Sequence, residues 1–254
     1  MRTRDRISLL AALLLAVTLP ACDKPTTPTR SDADPGSTAS DAELQAADAE
    51  DADATGETVE FADAQLFFEL NSTDNDLGLQ LFLDTDDGWK RVRVLDPSRN
   101  DVIEFETAGR LSHLGLTELR FESSEPSPGE VLALFPAGVY RFRGRTVEGD
   151  QLASNATLSH HFPPAPTITP SSGEVVDPDD LVVEWTAPDA ERVEIIIEQD
   201  ELEDVLDVTF SGKPRRMRIP RQFLQPGLEY KIEILSIAEN GNRVIAEGTF
   251  KTAK

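Results

Sequence analysis

Short apolar segments separated by turn-forming residues fill the chain from about Thr58 onward, and they restrict the folds that it can adopt. LFFEL, LQLFLD, KRVRVLD and VIEFET are apolar or alternating, and clusters of Asn, Asp, Gly or Pro separate them. Because successive side chains of a strand point to opposite faces, this pattern predicts short strands joined by turns. The single cysteine, Cys22, excludes an intramolecular disulfide. We therefore predict a mainly β protein that packed sheets stabilise.

Two short helices are predicted among the strands. In SPGEVLALFP, Ser127 is an N-cap, a proline occupies the first helical position, and Glu130 completes a capping box. The proline that follows the apolar residues ends this helix. A second helix is predicted in GRLSHLGLTELRF, where Leu111, Leu114 and Leu119 would face the core.

A proline-rich segment divides the β-rich region in two. PPAPTITP, residues 163–170, predicts an extended, semi-rigid connector. We place a β-rich domain at residues 58–162 and a second domain at residues 163–254, two β-sandwich-like domains in tandem. VEGD, residues 147–150, predicts a hairpin turn in the first of them.

Aromatic residues occupy characteristic positions in the second domain. LVVEWTAP places Trp185 on the apolar face of a strand, and RVEIIIEQ has the same alternation. LQPGLEYKIEIL places Tyr230 after a Leu-x-Pro-Gly turn, and EGTFKT would be the last strand. This pattern resembles the fibronectin type III domain, with a tryptophan in the second strand and a tyrosine corner at the sixth. The residues predicted to face its core are Leu181, Val183, Val193, Ile195, Ile197, Ile232 and Ile234.

The first domain resembles a group of uncharacterised secreted bacterial proteins. FELNSTDNDLGLQLFLD, GLTELRFESSEP and FPAGVYRFRGRTVEGD carry this likeness. In that group a domain of this pattern precedes a fibronectin-like one. The resemblance implies exported β domains and no known activity.

The N-terminus has the pattern of an export signal. Arginines at positions 2, 4 and 6 precede ISLLAALLLAVTL, which is shorter than the roughly 20 residues that span a bilayer. The LPAC that ends this segment resembles the lipobox of bacterial lipoproteins, which implies removal of residues 1–21 and a diacylglycerol on Cys22. The alternative is an ordinary secretory signal that is cut near Ala21. Asp23 resembles an inner-membrane retention signal of enterobacterial lipoproteins, but the choice of membrane stays open.

Residues 22–57 are rich in Pro, Thr, Ser, Ala and acidic residues, and Ser31 to Glu60 contains neither Lys nor Arg. Such a composition buries too little apolar surface to offset the entropy of ordering, so it predicts a disordered acidic tether. An acidic arm that binds a ligand or calcium is the alternative. The formal net charge of -23 makes nucleic acid and anionic membrane surfaces poor partners.

Two acidic clusters, NSTDNDLG and DTDDG, are candidate calcium sites. Calcium takes about six to eight oxygen ligands, and carboxylates at alternating positions of a turn supply several of them. Each cluster ends in a glycine that permits a sharp turn. The competing interpretation is that Asp and Asn cap turns between strands. The residues concerned are Asp74, Asp76, Asp84, Asp86 and Asp87.

Arginines alternate along two predicted strands. Arg141, Arg143 and Arg145 share one face of VYRFRGRTV, and Arg91 and Arg93 share one face of KRVRVLD. If these strands are neighbours, they form a basic stripe that can bind a carboxylated or sulfated glycan, or an acidic partner, through bidentate bonds. The stripe can equally pair across the sheet with carboxylates. The predicted partners are Glu104 and Glu106.

Three further features have weaker functional interpretations. KPRRMRIPR, Lys213 to Arg221, is either a site for lipid phosphate or compensation for nearby negative charge. Leu235 and Ile237 alternate with the core face of their strand, which predicts a domain or partner contact or edge cover. The histidines are His113, His160 and His161, and no catalytic or cofactor motif accompanies them.

Together these features predict a bacterial protein that is lipid-anchored in the cell envelope, with its domains outside the cytoplasm. We expect a non-catalytic binding or adaptor module for an envelope protein or a polysaccharide. A structural spacer without a specific ligand and an envelope glycan hydrolase are the alternatives. We expect no cofactor other than calcium, no nucleic-acid partner, and membrane contact only through the lipid anchor.

Overall fold

The computed structural model describes residues 56–200, 202–211 and 214–254. The predicted signal peptide, Cys22 and the acidic tether as far as residue 55 lie outside the described residues, as does Lys213. The described residues form fifteen strands, and no helix among them is long and apolar enough to cross a bilayer. The mainly β prediction is confirmed.

One long strand organises the first domain. The strand β3 has 20 residues; its first half pairs with β2 and β5, and its second half pairs with β4 and β6. Inward side chains of both halves contribute to one core, which also contains Phe68, Tyr140 and Phe142. The elements are β1 (Thr58–Val59), β2 (Asp63–Asn71), β3 (Asp76–Leu95), β4 (Asp101–Glu106), β5 (Leu116–Glu122), α1 (Pro128–Leu134), β6 (Gly138–Thr146) and β7 (Gln151–Leu158).

The prediction of two separate strands, LQLFLD and KRVRVLD, was wrong, because both are parts of β3. The segment between them shifts the register instead of forming a sharp turn: Asp84 pairs with Glu118, and Trp89 with Leu116. The buried Thr85 hydroxyl donates to a backbone carbonyl within the segment, at 2.6 Å. A Cβ atom at Gly88 would lie 2.2 Å from the carbonyl oxygen of Leu114. The glycine therefore permits a close approach of these two backbone segments.

One of the two predicted helices is confirmed. The helix α1 has the predicted capping box, in which the Ser127 N–H donates to Glu130 Oε2 at 3.2 Å. The second is only a 3₁₀ turn, Gly109–His113, and its leucines Leu111 and Leu114 are exposed rather than buried. Gly115, at φ +72°, ends this turn, and the chain continues as β5.

The hairpin turn predicted at residues 147–150 is confirmed. It joins β6 to β7, and the Thr146 N–H donates to the carbonyl of Asp150 at 3.0 Å. The glycine at position 149 has φ +104°, a conformation that disfavours other residues.

The second domain is a sandwich of two sheets. One sheet has the order β13-β10-β8, and the other contains β15-β14-β11-β12, with β9 also paired to β15. The strands are β8 (Thr167–Thr169), β9 (Glu174–Val176), β10 (Val182–Thr186), β11 (Arg192–Gln199), β12 (Glu203–Ser211), β13 (Arg216–Arg218), β14 (Glu229–Ile237) and β15 (Arg243–Thr252).

Its aromatic residues confirm a fibronectin type III-like fold. Trp185 is buried in β10, and the residues predicted to face the core are buried with it. Tyr230 is buried and stacks on Phe250, with ring centroids 5.3 Å apart. Its hydroxyl accepts a hydrogen bond from the Gln225 N–H at 2.7 Å, which is the expected tyrosine corner.

The two domains share one sheet. The strand β15 pairs in parallel with β2, with Arg243 opposite Glu69, so that twelve strands of both domains form a continuous sheet. Asn242, which is fully buried, accepts a hydrogen bond from the Phe68 N–H at 2.9 Å. Its amide nitrogen donates to the carbonyls of Ser159, at 2.7 Å, and of His161, at 2.9 Å. The domains are thus joined by more than the proline-rich connector.

We predict that Asn242→Ala lowers the free energy of unfolding by roughly 2–3 kcal/mol, because it leaves the buried Phe68 N–H and the Ser159 carbonyl without their partner. The His161 carbonyl keeps a hydrogen bond from Asn240. Urea denaturation of the purified protein measures this change. The control is Asn155→Ala, at an exposed position of β7. Equal stabilities of the Asn242→Ala variant and the unchanged protein would contradict the role of Asn242.

Candidate functional site

The predicted basic stripe exists as one face of the first domain, which we call the arginine face. It consists of Arg91 and Arg93 on β3 and Arg141, Arg143 and Arg145 on β6. The strands are neighbours, which is the condition on which the predicted stripe depended: Arg91 lies opposite Arg145, and Arg93 lies opposite Arg143. Val92 and Phe142, which lie between arginines in sequence, are buried in the core, so alternation along both strands directs the arginines to the other face.

The carboxylates of β4 pair with the β3 arginines. Arg91 Nε lies 2.6 Å from Glu104 Oε1, which confirms one predicted partner. Arg93 donates to both carboxylate oxygens of Asp101, from Nε at 3.0 Å and from Nη2 at 2.9 Å. The sequence did not predict Asp101, because an irregularity in the β3–β4 pairing changes the register at this end. The other predicted partner, Glu106, is opposite Arg91 on the strand.

The arginines of β6 have different surroundings. Arg143 Nη1 donates to the carbonyls of Phe142, at 2.8 Å, and of Ser154, at 3.2 Å, which fixes the side chain over the sheet. Arg141 Nη1 is buried and has no hydrogen-bond acceptor. Because this nitrogen is shielded from solvent, the β6 arginines that line an open cavity are Arg143 and Arg145.

A cavity of about 190 Å³ opens on the arginine face. Its lining is mainly cationic, and its size suits a carboxylate or sulfate group. The lining residues are Lys90, Arg91, Arg93, Glu106, Arg143, Gly144 and Arg145.

The acidic clusters predicted for calcium lie in two different settings. Asp74 is in the turn between β2 and β3, where Asn71 Oδ1 accepts hydrogen bonds from the N–H groups of Thr73 and Asp74, at 2.9 and 3.2 Å. Asp76 begins β3, and the other three lie at its irregularity. Asn71 therefore does cap a turn. Calcium binding by Asp74, Asp76, Asp84, Asp86 and Asp87 stays a prediction.

Three other carboxylates converge, and the sequence gave no signal for them. In the part of the chain that the structure describes, one group of three metal-ligating side chains has its ligand atoms within 4.8 Å of one another: Glu69, Glu122 and Glu125. These residues come from β2, from β5 and from the segment after it. The pairing of the strands brings them together, because Glu69 lies opposite Gly78. Gly78 has no side chain, and this leaves space for the side chain of Glu125.

Burial raises the pKa of Glu69 to about 7, although the Arg243 guanidinium lowers it. Arg243 Nη1 lies 3.7 Å from both Glu69 Oε2 and Glu194 Oε2, and its guanidinium carbon lies 4.6 Å from the ring centroid of Phe67. Burial and nearby carboxylates also raise the pKa of Glu125. This group lies at the junction of the two domains, beside the β2–β15 pairing.

A larger groove of about 620 Å³ is lined by residues of both domains, including Thr73, Tyr230 and Glu247. Lys231 lies in it and contacts Glu247 Oε1 at 2.9 Å. The three convergent glutamates do not line this groove.

The second basic segment and His160 contact neighbouring residues of the same chain. In the second basic segment, Arg218 forms an ion pair with Asp180, and Arg221 Nε lies 2.8 Å from Asp179 Oδ1, which favours charge compensation. His160 Nε2 contacts the carbonyl oxygen of Phe135 at 2.8 Å.

Leu235 and Ile237 are buried with Ile245, and Ile196 packs against them. Arg243 is opposite Ile237 on the neighbouring strand, so this apolar cluster lies next to the domain junction. This position agrees with the domain-contact interpretation of the two residues.

Comparison with known proteins gives distant likenesses only. No family model and no curated protein matches the chain. Among solved structures, the FN1-FN3 domains of chicken CNTN1 are 11% identical with a TM-score of 0.34, covering 78% of this chain and 66% of that one. A two-domain fibronectin type III segment of chicken tenascin is 14% identical with a TM-score of 0.30, covering 77% and 98%. The fibronectin(III)-like modules of Clostridium thermocellum CbhA are 12% identical with a TM-score of 0.30, covering 79% and 91%.

We predict that the free energy of unfolding falls as the pH rises from about 4.5 to about 7. Over this range the unfolded chain has released the Glu69 proton and the folded chain retains it, so one such group gives a slope of at most about 1.4 kcal/mol per pH unit. Glu69→Gln should flatten this slope, because an amide does not titrate. Urea denaturation at a series of pH values measures it.

The control for this experiment is Glu148→Gln, at an exposed position in the β6–β7 turn. This variant should keep the slope of the unchanged protein. A Glu69→Gln variant with an unchanged slope would show that Glu69 does not titrate in this range.

Proposed function

We propose that this protein is a lipid-anchored module of the bacterial cell envelope that binds anionic polysaccharide through the arginine face and does not catalyse a reaction. The observation that carries the proposal is the cationic cavity on that face, which four arginines and Lys90 line. An acidic surface of an envelope protein is the second class of partner that this chemistry fits.

The geometry of the face favours a polymer with regularly spaced acidic groups. Successive arginines of β6 are two residues apart, about 7 Å along the strand, and the facing arginines of β3 are about 5 Å away across the sheet. Guanidinium groups bind carboxylate and sulfate through two parallel hydrogen bonds, which a lysine cannot do. The ladder of strands holds the arginines in register, so a polymer would meet a preformed surface.

The negative charge of the rest of the chain means that an anionic ligand is attracted only at short range, close to the arginine face. The chain has a formal net charge of -23, which repels any polyanion at long range. Nucleic acid, with its dense phosphate charge, is therefore a poor ligand. A polysaccharide with one carboxylate per sugar unit has more widely spaced charges and meets less of this repulsion.

A rigid spacer is the second candidate function. The continuous sheet across the β2–β15 pairing favours it, because such a sheet resists bending between the domains. The two functions are compatible, since a rigid pair of domains would hold the arginine face at a fixed distance from the membrane. A glycan hydrolase is not proposed, because the three convergent glutamates are not among the residues that line the described groove.

We predict that alginate binds the protein at low salt and that neutral dextran does not. The double variant Arg143→Gln/Arg145→Gln should weaken this binding about tenfold or more, which corresponds to about 1.4 kcal/mol. Fluorescence anisotropy with labelled polymers measures the affinity.

The matched control is Arg215→Gln/Arg216→Gln, which removes the same charge from exposed positions in the second basic segment. It should change the affinity by less than about twofold. An equal loss of affinity in both double variants would show that binding depends only on net charge, and would contradict specific binding by the arginine face.

We also predict that Cys22→Ala releases the protein from membranes, because it removes the thiol that would carry the lipid. Cell fractionation followed by immunoblotting measures the distribution. Replacement of a neighbouring residue, Lys24→Ala, should leave the protein with the membranes. A Cys22→Ala variant that still fractionates with membranes would contradict the anchor.

A further inference from the structure

The chain enters the first domain beside the arginine face. The strand β1 pairs in parallel with β7, and the Gln151 N–H donates to the carbonyl of Glu57 at 2.9 Å. The Glu57 N–H donates to Asp150 Oδ1 at 3.0 Å, which fixes the direction of entry. Gln151 is in turn opposite Arg145 on β6. Adjacent strands are about 4.8 Å apart, so β1 lies about 10 Å from the strand that carries Arg145.

The sequence that precedes this entry point is complementary in charge to the arginine face. Residues 41–53, DAELQAADAEDAD, contain six carboxylates and no Lys or Arg. Asp53 is only three residues before Gly56, where the described chain begins, a distance of at most about 10 Å. The thirteen residues of the segment can extend about 45 Å, more than the width of the four strands from β1 to β3.

We propose that residues 41–53 are an intramolecular ligand of the arginine face and compete there with anionic polysaccharide. The inference rests on the function proposed above, since it describes the regulation of the same site. A covalently linked ligand has a high effective concentration at its site, so individually weak ion pairs suffice. External polymer must then displace the segment, and only a polymer with many acidic groups would do so.

The remainder of the chain adds to the selectivity of this contact. The formal net charge is -23, so most of the surface repels an acidic segment, whereas five arginines on one face attract it. The attraction acts over short distances and weakens as salt reduces the Debye length, from about 10 Å at 0.1 M to about 3 Å at 1 M.

The test is carbodiimide crosslinking of the full chain at low protein concentration, followed by mass spectrometry. A carbodiimide joins an amine to a carboxylate in contact with it. Lys90 lines the cavity of the arginine face, and Lys251 is exposed on β15 of the second domain. We expect linkage of Lys90 to residues 41–53 at low salt, its loss at about 1 M salt, and little linkage of Lys251. Absent linkage of Lys90, or equal linkage of both lysines, would overturn the inference.

Polymer binding provides the second measurement. Replacing four acids of the segment, Asp48→Asn/Glu50→Gln/Asp51→Asn/Asp53→Asn, should strengthen alginate binding about fivefold or more. The matched control, Glu184→Gln/Asp189→Asn/Glu191→Gln/Glu239→Gln, makes the same charge change at exposed positions of the second domain. A similar gain in both variants would overturn competition by the segment.

The two measurements separate the inference from the proposed function. Alginate binding without the Lys90 linkage would overturn the intramolecular ligand and leave the polysaccharide module intact. The linkage without alginate binding in either variant would overturn the competition with polymer and the proposed function together, and leave only the intramolecular contact.

Discussion

The rest of the structure depends on the hydrogen bonds of one buried carboxamide, that of Asn242. It accepts a hydrogen bond from the backbone of β2 and donates to two carbonyls of the segment that leaves the first domain. These bonds hold the start of β15 against β2, where the parallel pairing begins. Because a buried amide is costly without partners, the arrangement is specific as well as stabilising. Two sandwiches that could have been independent therefore share one sheet.

The same sheet connects the junction to the arginine face. The strand β2 pairs with the first half of β3, and the second half of β3 carries Arg91 and Arg93. The 20 residues of β3 are one continuous strand that belongs to both regions, although its pairing partners change at the irregularity. The junction and the cationic surface are thus fixed relative to each other. For a module at the end of a tether, such rigidity would decide where the bound polymer lies relative to the membrane.

The sequence predicted those features that depend on local pattern. The capping box of α1, the hairpin turn before β7 and the tyrosine corner at Tyr230 each involve residues close together in the chain, and each is confirmed. The arginine stripe was also predictable, because alternation sets the face of each side chain and only the pairing of β3 with β6 was unknown. The pairing itself was outside what local pattern can show.

Features that depend on contacts distant in sequence were missed. Gly88 lies against the backbone near Leu114. Because of this contact, β3 continues through a segment whose sequence predicts a turn. Glu69 meets Arg243 only because β15 pairs with β2, 174 positions away. Leu111 and Leu114 of the predicted second helix are exposed because Gly115 redirects the chain after a single 3₁₀ turn, whereas Leu119 packs against the core from β5. In each case a long-range contact outweighed the local preference.

Hydrogen exchange at the junction tests the central claim, that the two domains form one cooperative sheet, most directly. The N–H groups of Phe68, bonded to Asn242, and of Ser72, bonded to the carbonyl of Ile245, report the pairing of β2 with β15. One cooperative unit predicts that these amides are protected as strongly as those of Tyr140 and Ile195 in the two cores. Fast exchange of Phe68 and Ser72, with both cores still protected, would show that the domains separate, and would contradict the account.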